Sequence, residues 1–254
     1  MVARSWHHVL GPDAGAAPTT VRAMTAEVTQ SVAENDKPVF VEPRWPLALV
    51  VGFYLAISVT LRIAEPNRPS VGPHWLVPSI EAGLLLALVA ADPSHVSRRA
   101  RWLRHVGIVL ILGLVAVTII STTILIDDLI TGGQATESAS LLLSSGALVW
   151  LGNAMAFSLV YWEFDSGGAL ARYRRERPYP DLLFTQQASP EFAPPDWRPQ
   201  FVDYLVLGVT TNMAFSPTDV MPMARWAKLT MTLQSVIALV VIGLVIARAV
   251  NILT

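Results

Sequence analysis

From Trp45 onward the chain is a succession of apolar runs separated by short polar or charged breaks. A helix needs about 20 apolar residues to span a bilayer. Five runs approach or exceed that length: Trp45–Ile63, Trp75–Ala91, Trp102 to about Leu129, Ala139 to about Phe164, and Ala227–Leu253. A sixth, Phe201–Phe215, is shorter and carries Asp203, Thr210, Thr211 and Asn212. The pattern predicts an all-α fold, a polytopic membrane helix bundle of five long spans plus one short segment, 201–217, that crosses or re-enters. Polar-studded segments at membrane depth persist where they are buried in protein or line a cavity. The stretch from Trp197 to Thr254 is therefore where a site is expected.

The breaks bound the runs. Pro66, Pro69 and Pro73 tighten the first loop, and Asp92-Pro93 closes the second run. Asp127, Asp128 and Gly132-Gly133 end the third, and Asp165 with Gly167-Gly168 supplies a glycine-type stop for the fourth. Ala169 to Pro199 is Pro-rich, which excludes one regular helix across it. Residues 1–43 are polar and aperiodic and are expected to form a disordered cytoplasmic tail. No basic region runs directly into an apolar one there, so no cleavable signal peptide is expected. His7-His8 is read as inert. Residues 44–254 are expected to form a single transmembrane domain.

Composition agrees with the pattern. Apolar residues make up 53% of the chain and charged ones 15%, against the usual quarter charged in soluble domains. The net charge of −1 gives no reason to expect nucleic-acid binding. There are no cysteines, so disulfides, thiolate metal sites and cysteine nucleophiles are excluded. The chain contains no P-loop, G-x-S-x-G or H-E-x-x-H pattern, and its histidines lack metal-ligand spacing. No catalytic residue, cofactor or metal is expected.

Charge sets the expected orientation. Arg98, Arg99, Arg101 and Arg104 form one basic cluster, and Arg172, Arg174, Arg175 and Arg177 a second. Lys and Arg near span ends belong in the cytoplasm, so an N-terminus inside puts both clusters inside. The localisation expected is a bacterial inner membrane. If 201–217 crosses, the spans are even in number and both termini lie inside. A crossing is preferred, because a segment of this length can just cross a thinned bilayer.

Several residues could carry chemistry. Glu81 lies inside an apolar run, and an intramembrane carboxylate is a functional-site hypothesis by default. Asn153 is suited to hydrogen bonding across helices. Glu163 and Asp165 are expected to pair with Arg172 or Arg174. Ser216-Pro217-Thr218-Asp219 fits a capping box, or else a kinked turn facing a cavity. Ala227, Thr230, Gln234, Ala238, Val241, Val245 and Arg248 fall on one helical stripe, which suits packing or a pore wall. The pore or cavity candidates are Glu81, Asn153, Asp203, Thr210, Thr211, Asn212, Ser216, Asp219 and Gln234. The lipid- or partner-binding candidates are Arg98, Arg99, Arg101, Arg172, Arg174, Arg175 and Arg177.

Two resemblances attach to these motifs. Asn153 through Tyr161-Trp162-Glu163-Phe164-Asp165, then Phe201-Val202-Asp203-Tyr204, then Ala214-Phe215-Ser216-Pro217-Thr218-Asp219 and the helix ending Ala247-Arg248-Ala249-Val250-Asn251 resemble the bacterial membrane proteins called domain of unknown function 1345. That resemblance implies a multi-span inner-membrane protein and no stated activity. The order Thr210-Thr211, Asp219, Pro222 before a final helix also resembles the potassium-channel pore module. No glycine stands between Thr211 and Asp219, although a potassium filter needs one, so potassium selectivity is not expected. The leading expectation is a pore-loop-like permeation protein for ions or small solutes, embedded in a lipid bilayer and assembling as a homo-oligomer. The alternative is a non-transporting scaffold or subunit that binds a partner or anionic lipid.

Overall fold

A computed structural model describes residues 45–64, 73, 75–90, 98–133, 136, 138–195, 197–214 and 219–253, all within the unit Val41–Thr254. The expected tail, with His7-His8, lies outside these residues, as do Ser216, Pro217 and Thr218 of the expected capping box. The described residues form α1 (Trp45–Ala64), α2 (Leu76–Ala90), α3 (Arg98–Thr131), α4 (Ala139–Phe164), α5 (Ala169–Arg174), β1 (Leu182–Phe184), α6 (Thr185–Ala188), α7 (Phe201–Ala214), β2 (Val220–Pro222) and α8 (Arg225–Leu253). The architecture is all-α apart from the two three-residue strands. Arg98, Arg99 and Arg101 are helical, but their side chains lie outside the described set.

Local chemistry sets the helix ends. Pro46 and Pro78 sit in the first turns of α1 and α2, where a missing N–H costs nothing. Gly132, with φ of 77°, takes the left-handed position after α3, and its N–H donates to the Asp128 carbonyl at 2.9 Å. Ser138 caps α4 by accepting from Leu141 N at 3.2 Å. At the start of α7, Asp203 Oδ2 accepts from Gln200 N at 2.7 Å, the reach-back half of a capping box.

Among the described residues, three stretches are long and apolar enough to cross a membrane: Arg104–Thr131, Ala139–Arg174 and Arg225–Asn251. That is fewer than the five long spans expected. The runs Trp45–Thr60 and Leu76–Ala87 are shorter apolar helices. α2 has 15 residues, about 22 Å at 1.5 Å per residue.

The bundle is built around α4. One side is a succession of neighbours, α1 on α2 and α2 on α3, with α3 also packed on α4. The other side is α7 and α8, and both run antiparallel to α4. For α7, Tyr204 meets Asp165, Gly208 meets Ser158, and Asn212 meets Trp150. For α8, the Trp226 and Phe164 rings lie 6.1 Å apart, Val245 packs at Gly146, and Arg248 reaches Thr136. Both helices therefore start at the C-terminal end of α4. β2 lies at that end too, because it pairs antiparallel with β1 (Leu182 with Pro222, Phe184 with Val220). The Phe184 ring stands edge-on to Tyr204 in the first turn of α7, at 5.3 Å. After the 14 residues of α7, the chain is back by Val220 at the end from which α7 set out.

Candidate functional site: a buried amide network beneath a polar cap

Midway along α4, three helices exchange side-chain amides. Asn153 Nδ2 donates to Asn212 Oδ1 at 2.9 Å and to the Gln234 carbonyl at 3.2 Å. Gln234 Nε2 donates to Asn212 Oδ1 and to the Gly208 carbonyl, both at 2.7 Å. Tyr161 OH donates to Gln234 Oε1 at 2.6 Å, and Asn212 Nδ2 donates to the Trp150 carbonyl at 2.9 Å. Asn153, Tyr161, Asn212 and Gln234 are all fully buried. Helix carbonyls take part because each keeps a second lone pair beyond its own helical bond. Asn212 lies in the last turn of α7, so the network grips that helix at its inner end. Gly208 lets it approach: a Cβ there would strike Ser158 Oγ and lie 2.8 Å from the Ala154 carbonyl.

The outer end of α7 is held by a carboxylate. Asp165 is buried and accepts from Tyr204 OH at 2.6 Å, Leu182 N at 3.1 Å and Ser166 Oγ at 3.0 Å. It thereby joins α4, β1 and α7. Asp181 repeats the device at the surface. Its Oδ2 accepts from Ser166 N and Arg177 Nη1, and its carbonyl receives Met223 N and Ala224 N at the start of α8. The expected pairing of Glu163 or Asp165 with Arg172 or Arg174 takes a different form. Glu163 pairs with Arg104 at 2.8 Å, Arg174 stands 3.9 Å from Glu176, and Arg172 Nη1 donates to the carbonyls of Trp162 and Asp165. Gly168, with φ of 95°, takes a backbone conformation that L side chains rarely adopt, and a Cβ there would also lie 3.1 Å from the Glu163 carbonyl.

The predicted site residues divide into three groups. Asn153, Asn212 and Gln234 meet in the network, and fully buried Thr211 neighbours Asn212 on α7. Asp203, Thr210 and Asp219 instead line a cavity of about 220 Å³ with Thr185 and Gln186. Thr210 Oγ1 donates to the Val206 carbonyl at 2.8 Å, and the Asp219 carbonyl accepts from Thr185 N. Glu81 stands apart on α2, fully buried and absent from that cavity wall. On the stripe of the last helix, Ala227, Gln234, Ala238 and Val241 are buried, and Val245 packs against Gly146 of α4.

Sequence reasoning missed Tyr161, Tyr204, Asp181 and Gly208. A signal for Gly208 was present: Ala154 and Ser158, four residues apart on α4, form the small-residue pair that admits a neighbouring backbone. Tyr161 is two further helical turns from Asn153 on the same face. No family model, curated protein or solved structure matches this chain. The likenesses to domain of unknown function 1345 and to the potassium-channel pore module rest on their motifs alone.

Proposed function

We propose that this chain is an integral membrane protein with a re-entrant helix, one subunit of a homo-oligomeric, pore-loop-like permeation protein for ions or small solutes. The carrying observation is that α7 and α8 both begin at the C-terminal end of α4. At 14 residues α7 is about 21 Å long, whereas the hydrocarbon core is about 30 Å thick. Such a helix enters, ends at depth and returns, so this reading replaces the crossing preferred from sequence. A full helix, a half-helix, a return and a second full helix follow the order of a pore module. The basic clusters put the entry side in the cytoplasm, opposite to a potassium channel. Arg225 and Lys228 then fall inside, and Arg248 outside.

In this reading the amide network does not line the path. Its members are consumed in holding α7 against α4 and α8. The permeation path lies on the other face of α7, where Asp203, Thr210 and Asp219 share a cavity, and neighbouring copies complete it. The apolar residues exposed along α8, among them Leu229, Val236, Leu239 and Ile246, meet lipid or the next subunit. The C-terminal end of α7 carries the negative end of its dipole to mid-membrane, which favours cations there. Planar-bilayer recording of purified protein with several cations tests the proposal. Conductance is expected, and Asp219→Asn is expected to change its ion preference at unchanged thermal stability, since acidic groups at a mouth attract cations. Absence of conductance under all ions tried would refute the permeation reading.

A further inference from the structure

Beyond the pore reading, the polar segment that follows α4 contains a second cavity, of about 470 Å³. That lies in the range of small-molecule sites. Arg172, Arg175, Arg177 and Arg198 line it, and no carboxylate does among the described residues. Four guanidinium groups on one concavity repel each other unless an anion sits among them. We infer that this cavity is a binding site for a phosphate-bearing anion of at least two negative charges.

Three of the four arginines are already held in place. Arg172 donates to the Trp162 and Asp165 carbonyls. Arg198 Nη1 donates to the Tyr173 carbonyl at 2.7 Å, and its guanidinium lies over the Tyr173 ring at 4.5 Å. Arg177 is set by Asp181, which stands behind the wall and neutralises one charge of the four. Arg175 closes α5 in the left-handed conformation, with φ of 52°. A guanidinium has five N–H donors in a fixed fork that matches phosphate oxygens. The contacts of Arg177 and Arg198 leave most of theirs for a ligand. The rest of the wall is stiff. Pro178 and Pro180 on one side and Pro190, Pro194 and Pro195 on the other fix the backbone. Trp197 adds an aromatic surface for the non-phosphate part of a ligand. Sequence grouping put Arg174 with these arginines and left Arg198 out. The fold exchanges them: Arg174 is directed to Glu176, and Arg198 arrives from beyond the proline run.

A soluble phosphorylated molecule and an anionic lipid headgroup offer the same chemistry, and two arms separate them. In the first, full-length protein in neutral phosphatidylcholine nanodiscs is titrated calorimetrically with pyrophosphate and with ADP at about 0.15 M salt. In the second, native mass spectrometry counts cardiolipin, whose headgroup carries two phosphates, retained by the detergent-solubilised protein. Saturable binding in the first arm identifies a soluble ligand, and retention in the second alone identifies a headgroup. Arg175→Asn is the cleanest variant, because Asn tolerates the left-handed conformation and Arg175 makes no described side-chain contact. It should weaken the positive arm at least about tenfold, the scale of a lost charge-assisted contact, and Arg198→Gln should do the same. Arg174→Gln, with the same charge change outside the cavity, should stay within about twofold. No binding in either arm, or an equal loss with Arg174→Gln, would overturn the site.

Discussion

Replacing Gln234 with Leu removes the residue that touches most of the amide network. Three of its side-chain hydrogen bonds disappear: those to Gly208 O, Asn212 Oδ1 and Tyr161 OH. Interhelical hydrogen bonds in membrane proteins average about 0.6 kcal/mol and reach about 1.7. The loss is therefore expected to be about 2–5 kcal/mol, with the upper part favoured by the stranding of buried Tyr161 OH. Leu is close to Gln in size, so no cavity term is added. Tyr161→Phe alone loses one bond and should cost about 1 kcal/mol. In the Gln234→Leu background it should cost nothing and recover the stranding penalty of the buried OH, giving a coupling above about 1 kcal/mol. Reversible unfolding in mixed micelles, followed by circular dichroism for the four proteins of the cycle, measures both quantities. If Gln234→Leu lies within about 0.5 kcal/mol of wild type, or the two changes are additive, the network does not hold α7.

Other expectations follow from the same geometry. Gly208→Leu should separate α7 from α4, since even a Cβ meets Ser158 and Ala154; a cysteine placed at Asn212 in that background should gain reactivity toward a thiol reagent that it lacks when Gly208 is retained. Because the chain has no native cysteine, single-cysteine labelling in intact cells gives the topology directly. With α7 re-entrant, cysteines at Gln187 and Asn251 should label from opposite sides, and labelling of both from one side would restore the crossing. Tyr204→Phe strands a carboxylate oxygen of Asp165 and should cost about 1–3 kcal/mol. Asp165→Ala, which also abandons Leu182 N, should cost more in the same unfolding experiment.

Hydropathy located the helices well where length and apolarity speak together. The expected ends of the first, second and fourth runs fall within a residue or two of α1, α2 and α4. The third and last helices begin earlier than their apolar cores, at Arg98 and Arg225, because Arg and Lys are good helix formers. Hydropathy cannot say where a short helix goes after it ends. That is decided by the pairing of Leu182–Phe184 with Val220–Pro222, two three-residue strands far apart in the chain and without any strong pattern of their own. Asn153, Asn212 and Gln234 stood out as polar residues in apolar runs, but that they meet depends on helix depth and rotation. The arginines show the reverse case. Their density was plain, and the cavity that selects Arg198 over Arg174 exists only once the proline-rich segment has folded.

The reliance of α7 on its neighbours also bears on the order in which the protein is made. On the re-entrant reading proposed above, α7 alone offers an insertion machinery a short run interrupted by Asp203, Thr210, Thr211 and Asn212. Asp203 and Thr210 find partners within their own segment, at Gln200 N and the Val206 carbonyl, but the groups that satisfy Asn212 belong to other elements. Trp150 and Asn153 are on α4, already synthesised, but Gln234 is in the last helix. A nascent chain ending before Gln234 lacks the residue that closes the network. Docking of α7 thus follows entry of α8, and released chains truncated before residue 234 should leave Asn212 open to solvent-borne reagents.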